Sequence, residues 1–309
     1  MITDRTRSMK RKDLARELRR RGDITLSHFL NETGLELEDL YRHREGWTAL
    51  RREAGLEGPA ADAAADKQLG RAFGRMLHLD DIERLDFLHM ALNGGHPVSP
   101  RHYRLLAMVE ASLWGSVNSS ADIAARLARL NGARAAELAE LAGILRTAAL
   151  DPAPALDPMV PLRLHARYSK NETLAAFGLD RFAHMRQGVI YVAAHKADVF
   201  FVTVDKAENQ YSKSTRYNDY AIAEDRFHWE SQSTLQAAAP TAHRYIGGHS
   251  TVHLLIRQSK WDTGLGAPPY VYAGPMSYIS HEGERPIRFK WRLAHPLPPE
   301  VFQYAQAAE

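Results

Sequence analysis

Hydrophobic positions recur at three- and four-residue spacing from the N-terminus to about Leu150, as in Leu14 and Leu18 and then Leu26, Phe29 and Leu30. That is the period of helices with one buried face. Short oxygen side chains followed three residues later by an acid, at Thr33 with Glu36, Asp80 with Glu83 and Ser119 with Asp122, predict helix starts, because such a side chain satisfies orphan amides. Gly22, Gly34, Gly55 and the Asn93-Gly94-Gly95 turn predict the stops. The stretch DPAPALDPMVP at 151–161 then ends the helical pattern, since its prolines hold the backbone extended.

Beyond it, Ser169 with Glu172 predicts one short helix through Phe177, and the period then turns strand-like. The runs are GVIYVAAH (188–195), DVFFVTVD (198–205), TVHLLIRQ (251–258), PPYVYAG (268–274) and PIRFKWRLA (286–294). In the last, Ile287, Phe289, Trp291 and Leu293 alternate with Arg288, Lys290 and Arg292, so one face packs and the other is wet and basic. Few helices separate these strands, which favours antiparallel pairing. The expected fold is therefore α+β: an all-helical bundle at 1–150, a proline-rich linker at 151–161, and at 162–309 a mixed domain with a curved, mainly antiparallel sheet or barrel.

Composition narrows the chemistry. The 309 residues include no cysteine, which removes disulfides, thiolate nucleophiles and zinc–thiolate sites and suits a reducing compartment. No run of 18 apolar residues occurs and no apolar segment follows the basic N-terminus, so a cytoplasmic protein without a membrane span is expected. A net charge of +3 permits nucleic acid without arguing for it. GxxxxGK[ST], GxGxxG, GxSxG and HExxH are all missing, and His195-Lys196 are adjacent rather than an HxK pair. No catalytic residue, metal site or cofactor is therefore assigned to this chain. His243, His249, His253 and His281, with Asp219 and Glu282, follow no standard ligand spacing.

Four strings remain: PLRLHARYSKNETLAAFGL (161–179), SKSTRYNDYAI (212–222), RFHWESQST (226–234) and AGPMSYISHEGERPIRFKWRLAHPLP (273–298). In order and spacing they resemble a C-terminal domain of unknown function found on bacterial superfamily-II helicases. The better-understood proteins of this type are the modification-dependent, type IV restriction enzymes of the SauUSI kind. TLSHFLNETGLELEDLYR (25–42) and GWTALRREAGL (46–56) extend the likeness into the helical half. The resemblance implies a helical coupling region followed by an SRA/PUA-like reader of 5-methyl-type cytosine in double-stranded DNA. A superfamily-II helicase motor and a phospholipase-D-like nuclease, needing ATP and magnesium, would act with it in cis or in trans in phage defence.

A reader that extrudes its base needs ring-shaped walls, an acceptor for the exocyclic amine and polar groups for the remaining edge. On residue type, Tyr217, Tyr220 and Trp229 are the candidate walls, Asp219 the acceptor, and Ser231 and Gln232 the edge readers. His165, Arg167, Arg288, Lys290 and Arg292 are candidates for the DNA backbone. Each has a plainer reading: Tyr220 and Trp229 as core aromatics, Asn218-Asp219 as a turn, the basic row as a solvated strand face. Residues 25–44 also suit a helix-turn-helix bearing Tyr41, Arg42, His43 and Arg44, although a coupling bundle gives the same pattern. Two further functions stay open, a DNA clamp without base discrimination and a metal-dependent nuclease using His249, His281 and Asp219.

Overall fold

The computed structural model describes residues 10–42, 45–132, 134–149, 155–182, 185, 187–204, 219–261 and 264–306. They fall into two compact units, the first drawn from 1–152, 171–182 and 262–267 and the second from 153–170, 183–261 and 268–309. The architecture is α+β, and no helix of the described residues is long and apolar enough to cross a membrane.

The first unit is helical: α1 (Arg11–Arg21), α2 (Leu26–Thr33), α3 (Leu37–Tyr41), α4 (Gly46–Ala54), α5 (Ala63–Arg75), α6 (Ile82–Leu92), α7 (Pro100–Trp114), α8 (Ile123–Ala128), α9 (Ala135–Ala148) and, from Asn171 onward, α10 (Lys170–Ala176). The apolar stripes are buried as their spacing requires, with Leu14, Leu18, Leu26, Phe29, Trp47 and Leu50 almost wholly covered. Gly22, Gly34 and Gly55 end their helices at positive φ. The starts differ from expectation. Thr25, Asp81 and Asp122 supply the caps, while the Thr33 hydroxyl closes α2 by bonding back to the Phe29 carbonyl at 2.6 Å. A short oxygen side chain serves either end of a helix, so spacing alone misplaces it.

In the second unit, β1 (Arg167–Tyr168), β2 (Val189–Val192), β3 (Ala197–Thr203), β4 (Tyr220–Ala223), β5 (Arg226–Glu230), β6 (Thr251–Arg257), β7 (Tyr270–Glu282) and β8 (Arg288–Leu293) form one sheet. Its order is β2-β3-β6-β7-β8-β5-β4, with β1 added to the start of β7. Every pair is antiparallel except β3 with β6. The barrel alternative is corrected: β2 and β4 lie at opposite ends of the order and do not pair, so the sheet is open.

One face carries the core, in which Phe200, Trp229, Leu254, Phe289 and Trp291 are covered by Ala242 and Tyr245 of α11 (Pro240–Ile246) and by Val301 and Ala305 of α12 (Pro299–Ala305). β8 alternates exposed and buried as its sequence predicts. Gly274 has a φ of +89° beside the register shift between β6 and β7, and a Cβ there would lie 2.9 Å from a Leu164 methyl. Only glycine fits that bend.

Candidate functional site

The second unit holds a half-open cavity of about 340 Å³ where β2 and β3, from one end of the strand order, meet β5 from near the other, with α11 beside them. Gln187, Val189 and Tyr191 enter from β2 and the residues before it, their two-residue spacing turning all three side chains to one face. Asp198, the register partner of Tyr191, comes from β3. Trp229 comes from the end of β5, Gln232, Thr234 and Leu235 from the segment after it, and Thr241, Arg244 and Tyr245 from α11.

Its polar centre is an ion pair. Asp198 is fully buried, and its carboxylate accepts from Arg244 Nε and Nη2, each at 2.8 Å, and from Ser250 Oγ at 2.6 Å. A carboxylate buried in a strand whose other covered residues are Ala, Val and Phe requires such a partner, because an unpaired buried charge is very costly. The guanidinium also lies 3.9 Å over the Tyr191 ring. Its bond to Asp198 keeps Arg244 more basic than usual, while burial and the Asp198 charge push the Tyr245 phenol well above its ordinary range. Trp229, 7% exposed, forms the floor by packing against Phe200 at 4.4 Å and edge-on to Tyr245 at 6.2 Å. Tyr191 is 43% exposed and stands at the opening.

Of the six residues proposed for a base pocket, only Trp229 and Gln232 line this cavity. Tyr217 lies outside the described residues. Asp219 accepts from the Glu230 amide at 3.0 Å, which ties the entry of β4 to the end of β5. Tyr220 stacks on His228 at 4.7 Å, and since His228 and Trp229 are consecutive in β5, that stack occupies the opposite face of the sheet. Ser231 is fully buried: it exchanges backbone and hydroxyl bonds with Ile287, both 2.9 Å, and so braces β5.

The backbone candidates are spread out. Arg167 is exposed on β1, and Arg288, Lys290 and Arg292 are exposed along β8, where Lys290 pairs with Glu282 at 3.3 Å. The same face carries Arg226, registered with Arg292. His165 differs, since burial and the nearby His295 lower its pKa and disfavour a charged ring. Tyr41, a possible helix-turn-helix contact, is buried and bonds Glu137 at 2.8 Å. Among the described residues no three His, Asp or Glu side chains converge as metal ligands, so His249, His281 and Asp219 form no cluster.

Tyr191, Asp198, Arg244 and Tyr245 were not singled out in the sequence. One signal was available: Asp198 opens an apolar run that is buried and so demands a cation, though nothing in the chain's periodicity says which. A comparison with curated proteins finds no match. Residues 162–305 match the model of a family described as a domain of unknown function (DUF3427).

Proposed function

We propose that the second unit is a DNA-reading module that takes an extruded, 5-methyl-type modified cytosine into the cavity walled by Tyr191, Trp229 and Tyr245. The observation that carries this reading is the combination of aromatic side chains, amide and hydroxyl groups, and an ion pair at the polar centre of a cavity large enough for a base. At about 30 Å³ per water, 340 Å³ is roughly eleven water volumes, enough for a pyrimidine and a small substituent. In duplex DNA a cytosine methyl group offers only a small apolar contact in the major groove, and extrusion lets protein groups surround the whole ring. The likeness to SauUSI-type restriction enzymes supplies the wider frame: an SRA-like specificity module in the cytoplasm, with a helicase motor and a nuclease, and their ATP and magnesium, acting beside it.

The test is a gel-shift competition between duplexes of one sequence, with and without 5-methylcytosine. Tyr191→Ala is the informative variant, because its ring is half-exposed and its loss, including the contact with Arg244, costs about 1 kcal/mol of stability and leaves the fold intact. Loss of one stacking ring, worth about 1–3 kcal/mol, predicts a roughly 5- to 150-fold loss of affinity for the methylated duplex alone. Equal binding of both duplexes by the unaltered protein would overturn the reading.

A second reading rests on the outer face of β8 and β5, where Arg226, Arg288, Lys290 and Arg292 are all exposed. On this reading the module grips the phosphate backbone without reading bases, and affinity falls steeply with salt for methylated and plain DNA alike.

A further inference from the structure

The cavity's charged group that can reach a ligand is a donor. Both oxygens of Asp198 are engaged, by Arg244 and by Ser250, and the residue has no exposed surface. It can hold Arg244 in place, but it is poorly disposed to accept from an exocyclic amine. Asp219 does not line the cavity and is bonded to the Glu230 amide. Arg244, by contrast, borders the open volume and spends only Nε and one Nη2 hydrogen on Asp198. A guanidinium has five N–H groups and no acceptor. Donors therefore remain for a ligand. The other polar lining groups, Gln187, Gln232, Thr234 and Thr241, can donate or accept, so Arg244 sets the bias.

The guanidinium is also unusually well fixed. The two-point bond to Asp198 sets its plane, and Tyr191 covers it at 3.9 Å. A donor held that rigidly rewards a correctly placed oxygen and leaves an apolar group of the same size without compensation for displaced water. The cavity's roughly eleven water volumes exceed what a pyrimidine bearing a methyl group occupies, so there is space for atoms beyond the methyl.

We infer that Arg244 is a specificity-determining residue and that the cavity favours pyrimidines whose C5 substituent ends in an oxygen acceptor, such as hydroxymethyl, over those ending in a methyl. The inference rests on the reading of the cavity as a site for an extruded base.

The test uses the full chain and fluorescence anisotropy with one duplex sequence carrying cytosine, 5-methylcytosine, 5-ethylcytosine or 5-hydroxymethylcytosine at one position. Ethyl and hydroxymethyl match in size and differ in the acceptor. We expect hydroxymethyl to bind about tenfold tighter than ethyl, and the ratio to fall to near one in the double variant Asp198→Asn/Arg244→Gln, which removes both charges together. Equal affinity for the ethyl and hydroxymethyl duplexes, with both above plain cytosine, overturns the role of Arg244 and leaves the base-pocket reading standing. No preference for any modified duplex overturns both. Should the double variant fail to fold by circular dichroism, the ethyl-to-hydroxymethyl ratio of the unaltered protein decides the matter.

Discussion

The two units use buried charge in opposite ways. In the helical unit, acids are sealed inside and consumed by the fold. Glu137 accepts from the Tyr41 hydroxyl at 2.8 Å, from the Trp47 amide at 2.7 Å and from the Thr48 amide at 3.2 Å, with Arg134 beside it at 3.4 Å. Glu172 meets His78 at 2.8 Å, Arg84 at 3.0 Å and Ser112 at 2.8 Å, and Glu110 holds Arg126 at 2.6 Å. All three acids are buried, and for Glu137 and Glu172 most of the partners come from segments 60 or more residues away. In the β-rich unit the core is aromatic, and its fully buried acid, Asp198, pairs with an arginine that borders an open cavity. Burial plus pairing therefore does not identify a functional residue. The distinction is whether the partner still faces space a ligand can enter.

The largest effect that would sharpen this contrast belongs to the first unit. Glu137→Ala leaves two amides, a phenol and Arg134 without their shared acceptor, and removing one member of a buried network costs about 3–5 kcal/mol. Burial and the Glu137 charge hold the Tyr41 phenol far above its usual pKa, so it stays a donor and cannot compensate. Chemical denaturation should report the loss directly. A change below about 1 kcal/mol would mean that these acids are not structural, and the contrast would fail.

Acid stability gives the next largest effect and concerns the second unit. Burial lowers the His253 pKa to about 4 from the ordinary 6.5, with Asp157 opposing the shift and His195 adding to it, and its Nδ1 lies 2.8 Å from the Tyr272 hydroxyl. The folded state thus binds the proton less readily than the unfolded state. Stability from this group is complete above about pH 6.5 and is lost as pH falls toward 4. The full shift corresponds to roughly 3–3.5 kcal/mol. His253→Gln should flatten this acid limb in unfolding curves measured between pH 4 and 7, and an unchanged slope would remove His253 from the account.

Much of the fold was legible because period and burial coincide. The five apolar runs of the second half became β2, β3, β6, β7 and β8, and the helical stripes formed the first unit. β4 and β5 were hidden, because strings such as RFHWESQST mix aromatic and polar residues in a way that reads equally as a pocket. α11 was missed too: its seven residues are too few to display a helical period. The candidate site was legible in type and not in place. Aromatic walls beside amide and hydroxyl groups were expected, and Trp229 and Gln232 do meet in the cavity. Strand parity sent Tyr220 to the opposite face, and Arg244 stands 46 residues from Asp198, a pairing no local pattern encodes.

The smallest effect concerns that opposite face. Arg288, Lys290 and Arg292 stand two residues apart on β8, so their side chains emerge at intervals of about 7 Å along one edge-to-edge line. If they neutralise phosphates, each removed cation lowers the slope of log affinity against log salt by about 1, and does so for methylated and plain duplexes equally. A base pocket predicts the reverse signature, a change in the ratio of the two duplexes with the salt slope held. Arg288→Ala and Arg292→Ala are the cleaner pair, because Lys290 is also engaged by Glu282. A reduced slope with an unchanged ratio assigns this face to the backbone and leaves discrimination to the cavity. An unchanged slope makes it an ordinary solvated face, and the contrast between the units then rests on Asp198 and Arg244 alone.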